Sequence, residues 1–351
     1  MNNNKKIIVP TGYMGSGSSA ITDIMSEIEQ VDVSRGTFEF VFLHCPNGVF
    51  DLEDKLLIGN NALRSDEALH NFYNTMKQLY NKKYWWVGNY KDNIGVEFWD
   101  VTQKYIEDLI QFTSDYFWYY QENVSLKMIP HLVFNRIMRI ITRGMYKEKK
   151  VLAYSPIWLS YIESEEFYKL TKRYIYDILE LAGYDKSTIV LDQLLLPFNL
   201  NRIERYFDED LEVFVVERDP RDMFIINKYF WSKSNDVLPY QTDATKFCEY
   251  YKKLRNMERN IESTHIHRIK FEDLIYNYDE SIERIFNELS WDRKRHVKKK
   301  VFFDPEKSIN NTQLFLTKKE YMDECKIIEK ELSEFLYDFP YEINHNNGKV
   351  F

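Results

Sequence analysis

The amino-acid sequence predicts an α/β fold, a parallel sheet flanked by helices, with a large helical insertion. Three observations favour this fold. An apolar run, a glycine- and serine-rich loop and an amphipathic helix pattern follow one another near the N-terminus. Short apolar runs, typical of buried parallel strands, return in the second half of the chain. The segment between them has a mostly helical pattern and is unusually rich in aromatic residues.

The first predicted strand is Ile7–Val9, flanked by Lys6 and Pro10. A loop rich in Gly and Ser, residues 12–19 (the glycine-serine loop), comes next. Apolar residues from Ala20 to Ile28 then recur at helical spacing, and the other face of this predicted helix carries Asp23, Glu27 and Glu29. Strand, loop and helix in this order form the opening unit of a nucleotide-binding α/β domain.

A second strand is predicted at Phe38–Leu43, before the helical segment. We expect a single α/β domain over residues 1–351, with residues 55–185 as a helical insertion or cap and Gly183 ending its long last helix. The chain has 26 Tyr and 7 Trp. Those of the insertion have two open interpretations, core packing or a groove for an acceptor molecule.

Three further strands are predicted in the second half of the chain. They are Thr188–Leu191, which ends at Asp192, Val213–Val216, which ends at Glu217, and His267–Ile269, which leads into a helix at 280–289. In open parallel sheets the carboxyl ends of the strands bind ligands. Polar residues that follow these strands are therefore candidates for a site.

Composition and charge exclude several classes of function. The net charge is −8 and the isoelectric point about 5.6, which argues against a general nucleic-acid binder. Three scattered cysteines form neither a disulfide framework nor a zinc site, and no His-Glu-x-x-His or Cys-x-x-Cys motif occurs, so no metal is predicted. No run of about 18 apolar residues and no secretory signal occur, so we expect no membrane span and a cytoplasmic protein.

The glycine-serine loop has the composition of an anion cradle. Its spacing, Gly12-x-x-x-x-Gly17-Ser18-Ser19, is that of a Walker A loop with Ser18 in place of the lysine. We therefore expect a phosphate-like anion rather than a conventional nucleoside triphosphate, held by the candidate residues Gly15, Ser16, Gly17, Ser18 and Ser19. The alternative is a strand-to-helix turn without a ligand.

A second candidate element is Arg218-Asp219-Pro220-Arg221-Asp222, the arginine element, which follows the strand Val213–Val216. Arg218 would hold a phosphate with two hydrogen bonds, and Asp219 would cap the next helix. A capped helix start with surface ion pairs is an equally good interpretation of the element taken alone.

Together the two elements resemble the sulfotransferases that use 3′-phosphoadenylyl sulfate (PAPS), and look most like bacterial enzymes acting on surface glycans. The resemblance implies that the glycine-serine loop holds the 5′-phosphosulfate and Arg218 the 3′-phosphate. Residues 269–278 look like the family's strand-to-helix Glu-Asp-Leu element. Residues 304–312, the closing loop with Ser308 and Asn311, are similar to the loop that closes over the nucleotide.

Two positions depart from the family pattern. Gly15 stands where the family usually has Lys or Arg, which is implied to stabilise the departing oxygen, and Lys307 or Lys228 is a candidate substitute. Ile226 stands where the family has a serine contacting the 3′-phosphate, with Asn227 next to it.

The resulting hypothesis is a sulfotransferase that moves a sulfuryl group from PAPS to a hydroxyl of a carbohydrate or other small acceptor. Asp192 is the preferred general base, because it ends a buried strand; His44 ranks below it, and a plain capping role for Asp192 is as good an interpretation. Two other functions stay open: a P-loop kinase-like phosphotransferase with Asp192 on Mg²⁺, and a catalytically inactive nucleotide-binding protein. The oligomeric state is not predicted.

Overall fold

A computed structural model describes residues 6–33, 38–84, 87–114, 126–148, 156–182, 187–208, 210–231, 241–258, 263–343 and 345. The strands are β1 (Lys6–Gly12), β2 (Val31–Val33), β3 (Lys83–Tyr84), β4 (Val87–Gly88), β5 (Phe112–Ser114), β6 (Ile157–Leu159), β7 (Thr188–Val190), β8 (Leu211–Glu217) and β9 (Ile266–Lys270). The helices are α1 (Ser19–Ser26), α2 (Val49–Leu57), α3 (Ala62–Asn81), α4 (Tyr90–Asn93), α5 (Phe98–Leu109), α6 (Ile129–Ile141), α7 (Ser164–Leu181), α8 (Ile203–Tyr206), α9 (Pro220–Ile225), α10 (Ala244–Asn256), α11 (Asp273–Tyr276), α12 (Tyr278–Glu288), α13 (Pro305–Ser308) and α14 (Lys319–Glu331).

Five strands form one parallel sheet in the order β2-β7-β1-β8-β9. The chain leaves β1 toward β2 and β7 on one side, and later crosses to β8 and β9 on the other. Because ligands bind at the carboxyl ends of strands where the direction of the connections reverses, the end of β1 is the expected binding position. The predicted parallel sheet flanked by helices is confirmed.

Both faces of the sheet are covered, which explains why its strands are continuous apolar runs. Ile7 and Val9 point into the core that packs against the helices of the first half of the chain. Ile8 points into the opposite core, which is built on α1 and α12. The predicted strands near residues 7–9, 188–191, 213–216 and 267–269 are present because their sequences satisfy this two-sided burial.

The prediction of a strand at Phe38–Leu43 is wrong, and the second strand is β2. The segment is buried, but it carries no strand ladder. Its end turns back on itself: the carbonyls of Phe42 and Leu43 accept hydrogen bonds from the N–H groups of Val49 and Phe50, at 3.1 and 2.9 Å. Gly48 makes the turn possible, because a Cβ there would lie 2.7 Å from the Phe42 carbonyl oxygen.

Helices α2 to α7 lie between β2 and β7 in the chain, and all of them except α6 share one core with a face of the sheet. Aromatic residues fill this core; Tyr105 and Tyr174, for example, are stacked with ring centroids 4.3 Å apart and are almost fully buried. At these positions the aromatic residues are core. Helix α7 ends at Leu181, and Gly183, its predicted stop, lies outside the described residues. The bounds 55–185 for an insertion stay a prediction.

Glu27, predicted on the polar face of the first helix, is fully buried just after α1. Its carboxylate accepts hydrogen bonds from His296 Nε2 at 2.7 Å and from the N–H groups of Phe302 and Phe303, both at 2.9 Å. A buried carboxylate needs such partners to offset lost hydration. This contact fastens the helix of the glycine-serine loop to residues 296–303.

Among the described helices, none combines the length and apolarity that a bilayer crossing requires.

Candidate functional site

The glycine-serine loop is held in shape from within. Gly15 and Gly17 have φ angles of +86° and +85°, in the left-handed region that favours glycine. Ser16 is buried, its N–H donates to the Tyr13 carbonyl at 2.8 Å, and its Oγ accepts from the Tyr13 N–H at 3.1 Å. The Ser16 side chain therefore orders the loop and faces inward, away from solvent.

The loop presents backbone donors toward the carboxyl edge of the sheet. Within the described part of the chain, the N–H groups of Gly15, Gly17, Ser18 and Ser19 donate to no protein acceptor. Ser19 is exposed and begins α1, so its N–H adds the positive end of a helix dipole. Successive free N–H groups between left-handed residues form a concave nest, which binds anions such as phosphate or sulfate.

Gly17 is fixed by Phe271, the residue after β9. A Cβ at position 17 would lie 2.7 Å from Phe271 Cδ2. The same ring lies under the Arg218 guanidinium, 4.6 Å from its carbon to the ring centroid. Phe271, which the sequence motifs did not single out, therefore contacts both Gly17 of the loop and the guanidinium of Arg218.

We expect Gly17→Ala to lower the free energy of unfolding by about 2–3 kcal/mol, since it combines left-handed strain with a clash. Gly59→Ala is the matched control, because Gly59 has a φ of +67° and nothing within 4 Å of an added Cβ. The control should cost about 1 kcal/mol, from strain alone. Urea unfolding measures both, and equal losses would contradict a packing role for Gly17.

Arg218, which belongs to the arginine element, contacts both the glycine-serine loop and the closing loop. Its Nη1 donates to the Gly15 carbonyl at 3.0 Å, and its Nη2 donates to the Asn311 carbonyl. Arg218 is 4% exposed, and its Nε–H has no partner among the described residues. Asn311 Oδ1 is also buried and without a partner there. The structure thus brings Gly15, Arg218 and Asn311 into one cluster, with unused hydrogen-bonding groups beside the loop.

The charge of Arg218 is only partly balanced by its neighbours. Burial lowers the pKa of Arg218, while Asp222, Glu272 and Asp219 raise it. Burial also raises the pKa of Glu272, to about 8, and the pKa of Asp222. Both carboxyls therefore hold their negative charge less strongly than exposed ones, which leaves the Arg218 guanidinium less fully neutralised.

The arginine element also has the predicted helix start. The Asp219 carboxylate accepts the Arg221 N–H at 2.9 Å as the N-cap of α9, and Pro220 is the first helical residue. Arg221 returns a double ion pair to Asp219, with Nε and Nη2 at 3.0 and 2.8 Å from its two oxygens. Asp219 and Arg221 are therefore structural partners of each other, and Arg218 is the arginine left at the site.

Asn227 lies beside the site, and in the sequence it follows Ile226, a position that departs from the family pattern. It is buried in the π-helical turn Ile226–Phe230; its Nδ2 donates to the Met223 carbonyl at 2.8 Å, and its Oδ1 has no partner in the described residues. A Cβ on Gly15 would meet Asn227 Nδ2 at 3.4 Å and the Trp231 ring at 3.6 Å. The positive φ of Gly15 disfavours a lysine or arginine at this position, whereas an added Cβ would make only ordinary van der Waals contacts with these two neighbours.

Asp192 follows β7 at the same edge as the loop. The next residue, Gln193, donates through Nε2 to Ser18 Oγ at 3.0 Å, which ties this strand end to the glycine-serine loop. Asp192 Oδ1 is buried and has no partner in the part of the chain that the structure describes. Burial raises the pKa of Asp192 to about 7, and the charge of Asp23 on α1 adds to the shift. A carboxylate with this pKa suits proton transfer at neutral pH.

The remaining candidates are engaged elsewhere. His44 Nε2 lies 2.8 Å from the Gln193 carbonyl oxygen, so the proton of the neutral imidazole ring is on Nε2. Burial lowers the pKa of this ring. Lys307 is exposed and pairs with Asp304 at 3.1 Å, and Lys228 pairs with Glu324. Ser308 ends α13, one short turn before Asn311. No group of three or more His, Cys, Asp or Glu side chains in the described ranges could hold a metal ion.

Solved structures that are similar to this chain include three sulfotransferases. They are the sulfotransferase domain of the curacin biosynthetic pathway (10% identity, TM-score 0.34, covering 87% of this chain and 80% of that one), the sulfotransferase domain of the Synechococcus PCC 7002 olefin synthase (12%, 0.35, 98% and 93%) and sulfotransferase STF9 from Mycobacterium avium (12%, 0.38, 97% and 78%). No protein-family model and no curated protein sequence matches the chain.

Proposed function

We propose that this chain is a sulfotransferase that takes a sulfuryl group from PAPS and gives it to a hydroxyl of a carbohydrate acceptor. One observation carries the proposal: backbone N–H groups that have no protein partner among the described residues line the glycine-serine loop, and the Arg218 guanidinium contacts the same loop at Gly15. Two neighbouring anion-binding groups suit a nucleotide with phosphates at two positions.

The donor would be held at both ends. The N–H groups of Gly15, Gly17, Ser18 and Ser19 would receive the 5′-phosphosulfate. Arg218 Nε–H would receive the 3′-phosphate, supported by Asn311 and Ser308 from the closing loop. A Walker lysine is not needed for this arrangement, because the nest and the start of α1 supply positive potential without a side-chain charge.

The reaction then needs one proton acceptor. The acceptor hydroxyl oxygen attacks the sulfur, the bond between sulfur and the 5′-phosphate oxygen breaks, and its electron pair leaves with adenosine 3′,5′-bisphosphate. Asp192 takes the hydroxyl proton, which its raised pKa allows near neutral pH. The loop N–H groups stabilise the charge that develops on the departing phosphate. The carbohydrate class of the acceptor follows from the resemblance to glycan sulfotransferases.

A second candidate function, a Mg²⁺-dependent phosphotransferase, is favoured by one observation. Asp192 is near enough to Asp23 for their charges to interact, and Asp23 lies one helical turn after Ser19. Two carboxylates and a hydroxyl at a loop of this spacing are oxygen donors of the kind that Mg²⁺ prefers.

A thermal-shift series separates these functions. Under saturating adenosine 3′,5′-bisphosphate without Mg²⁺ we expect the melting temperature to rise by about 5 °C, the effect of a ligand near 100 times its Kd. Labelled PAPS should then transfer sulfate to members of a glycan panel. Stabilisation by ATP that requires Mg²⁺ would instead support the phosphotransferase. Binding of the bisphosphate with no transfer to any acceptor would indicate an inactive nucleotide-binding protein, and no binding would refute the proposal.

A further inference from the structure

Helix α6 has its apolar and polar faces reversed relative to an ordinary surface helix. Of its thirteen residues only Asn135, a polar residue, is buried. Six large apolar residues of the helix are instead between 43% and 70% exposed: Ile129, Val133, Phe134, Ile137, Ile140 and Ile141. A soluble surface helix usually turns such residues toward the core.

Six of the seven large apolar residues exposed on α6 lie on one face; the seventh, Leu132, is 40% exposed and lies outside it. At 3.6 residues per turn, these six positions fall within an arc of about 140°. Asn135 and the half-buried Met138 and Thr142 lie on the opposite side and face the protein. The outward face of α6 is therefore a continuous apolar stripe rather than scattered side chains, and stripes of this kind mark binding surfaces.

Cations border the stripe. Arg136 and Arg139 are exposed and fall in the arc next to the apolar one, and Arg143, also exposed, follows the end of the helix. Residues 126–148 contain five Lys and Arg and a single acid, Glu148, although the whole chain has a net charge of −8. A cavity of about 620 Å³ opens along this border, lined by Arg136 and Arg139, by apolar residues, and by Asn135 and Glu148; Glu148 Oε1 lies 3.5 Å from Arg139 Nη1.

We propose that α6 lies flat on an anionic lipid bilayer, with its apolar stripe among the acyl chains and its arginines on lipid phosphates. An apolar face bordered by Arg and Lys is the pattern of helices that lie in the membrane interface. Thirteen residues span about 20 Å, too short to cross a hydrocarbon core of about 30 Å. The cavity beside Arg136 and Arg139 accommodates a lipid headgroup.

The charge pattern favours a bilayer over a second copy of this chain. Two copies packed through α6 would bring two sets of arginines together with only Glu148 to offset them, and like charges at an interface are repulsive. An anionic bilayer offers an apolar interior and a negative surface at the same boundary, which matches the stripe and its border.

Vesicle sedimentation of the full chain tests the proposal. We expect binding to phosphatidylcholine vesicles that contain about a third phosphatidylglycerol, weaker binding to pure phosphatidylcholine, and at least a tenfold loss between about 50 mM and about 500 mM salt. Ile137→Asp with Ile141→Asp should lower binding at least tenfold. Ile58→Asp is the matched control, because Ile58 is 66% exposed at the end of α2, and it should bind like the unsubstituted chain.

Three outcomes would overturn the proposal: no binding to anionic vesicles, equal binding by the Ile137→Asp/Ile141→Asp variant, or a self-association in solution that this variant abolishes. The last would assign the stripe to a second copy of the chain. Circular dichroism and the melting temperature without ligand check that the variant is folded. Neither the membrane contact nor its test depends on the proposed activity.

Discussion

Arg218→Ala should lower the affinity for adenosine 3′,5′-bisphosphate by about 100- to 1000-fold. Removing one member of a desolvated, hydrogen-bonded charge pair costs about 3–4 kcal/mol, and every 1.4 kcal/mol is tenfold in Kd. Arg218 is buried beside the glycine-serine loop and has an unused Nε–H, so a phosphate bound there would be desolvated with it. Titration calorimetry without Mg²⁺ measures the change.

Two further variants control for structural damage. Arg218→Lys keeps the positive charge near Asp222 and Glu272 and loses the planar fork, so we expect an intermediate loss of about tenfold. Arg221→Ala removes the other arginine of the same element, which pairs with Asp219 and Glu329 and not with the loop. That variant should change stability and leave Kd within about threefold. If Arg221→Ala weakened binding as much as Arg218→Ala, the assignment of the 3′-phosphate to Arg218 would be wrong.

The sheet could be predicted because its central strands must be buried on both faces. β1, β7 and β8 are covered on both faces, so burial shows directly as an apolar run. The sequence did not predict β2, because this strand is three residues long and has Asp32 in the middle, so it shows no apolar run. Residues Phe38–Leu43 form an apolar run but no strand, since turns and helix packing can also bury an apolar run.

The site was predictable where a backbone shape demands a residue type. Left-handed φ angles at Gly15 and Gly17 appear in the sequence as a glycine pattern. The contact between Arg218 and Gly15, 203 positions apart, follows from the rule that carboxyl ends of parallel strands share an edge. Phe271 and Glu27 could not be found in this way. An apolar ring and a helix-face glutamate have many possible roles, and only tertiary packing decides among them.

Asp192→Asn should reduce kcat for sulfate transfer by about 100- to 10,000-fold while leaving Kd for adenosine 3′,5′-bisphosphate within about threefold, because general base catalysis is worth that range. The pH profile gives the sharper readout. Burial raises the pKa of Asp192 to about 7, so the carboxylate form that accepts a proton predominates above pH 7. In the unsubstituted chain kcat should therefore fall about tenfold per pH unit below 7 and level off above it.

Two control variants decide which group causes that fall. Asp23→Asn removes a neighbouring negative charge that raises the pKa of Asp192, so the acidic limb should move to lower pH. His44→Gln should leave the limb in place, because the Nε2 of His44 is already committed to the Gln193 carbonyl. A limb that disappears with His44→Gln would make His44 the base. A limb that survives Asp192→Asn would reduce Asp192 to a structural residue, since an amide cannot titrate in this range.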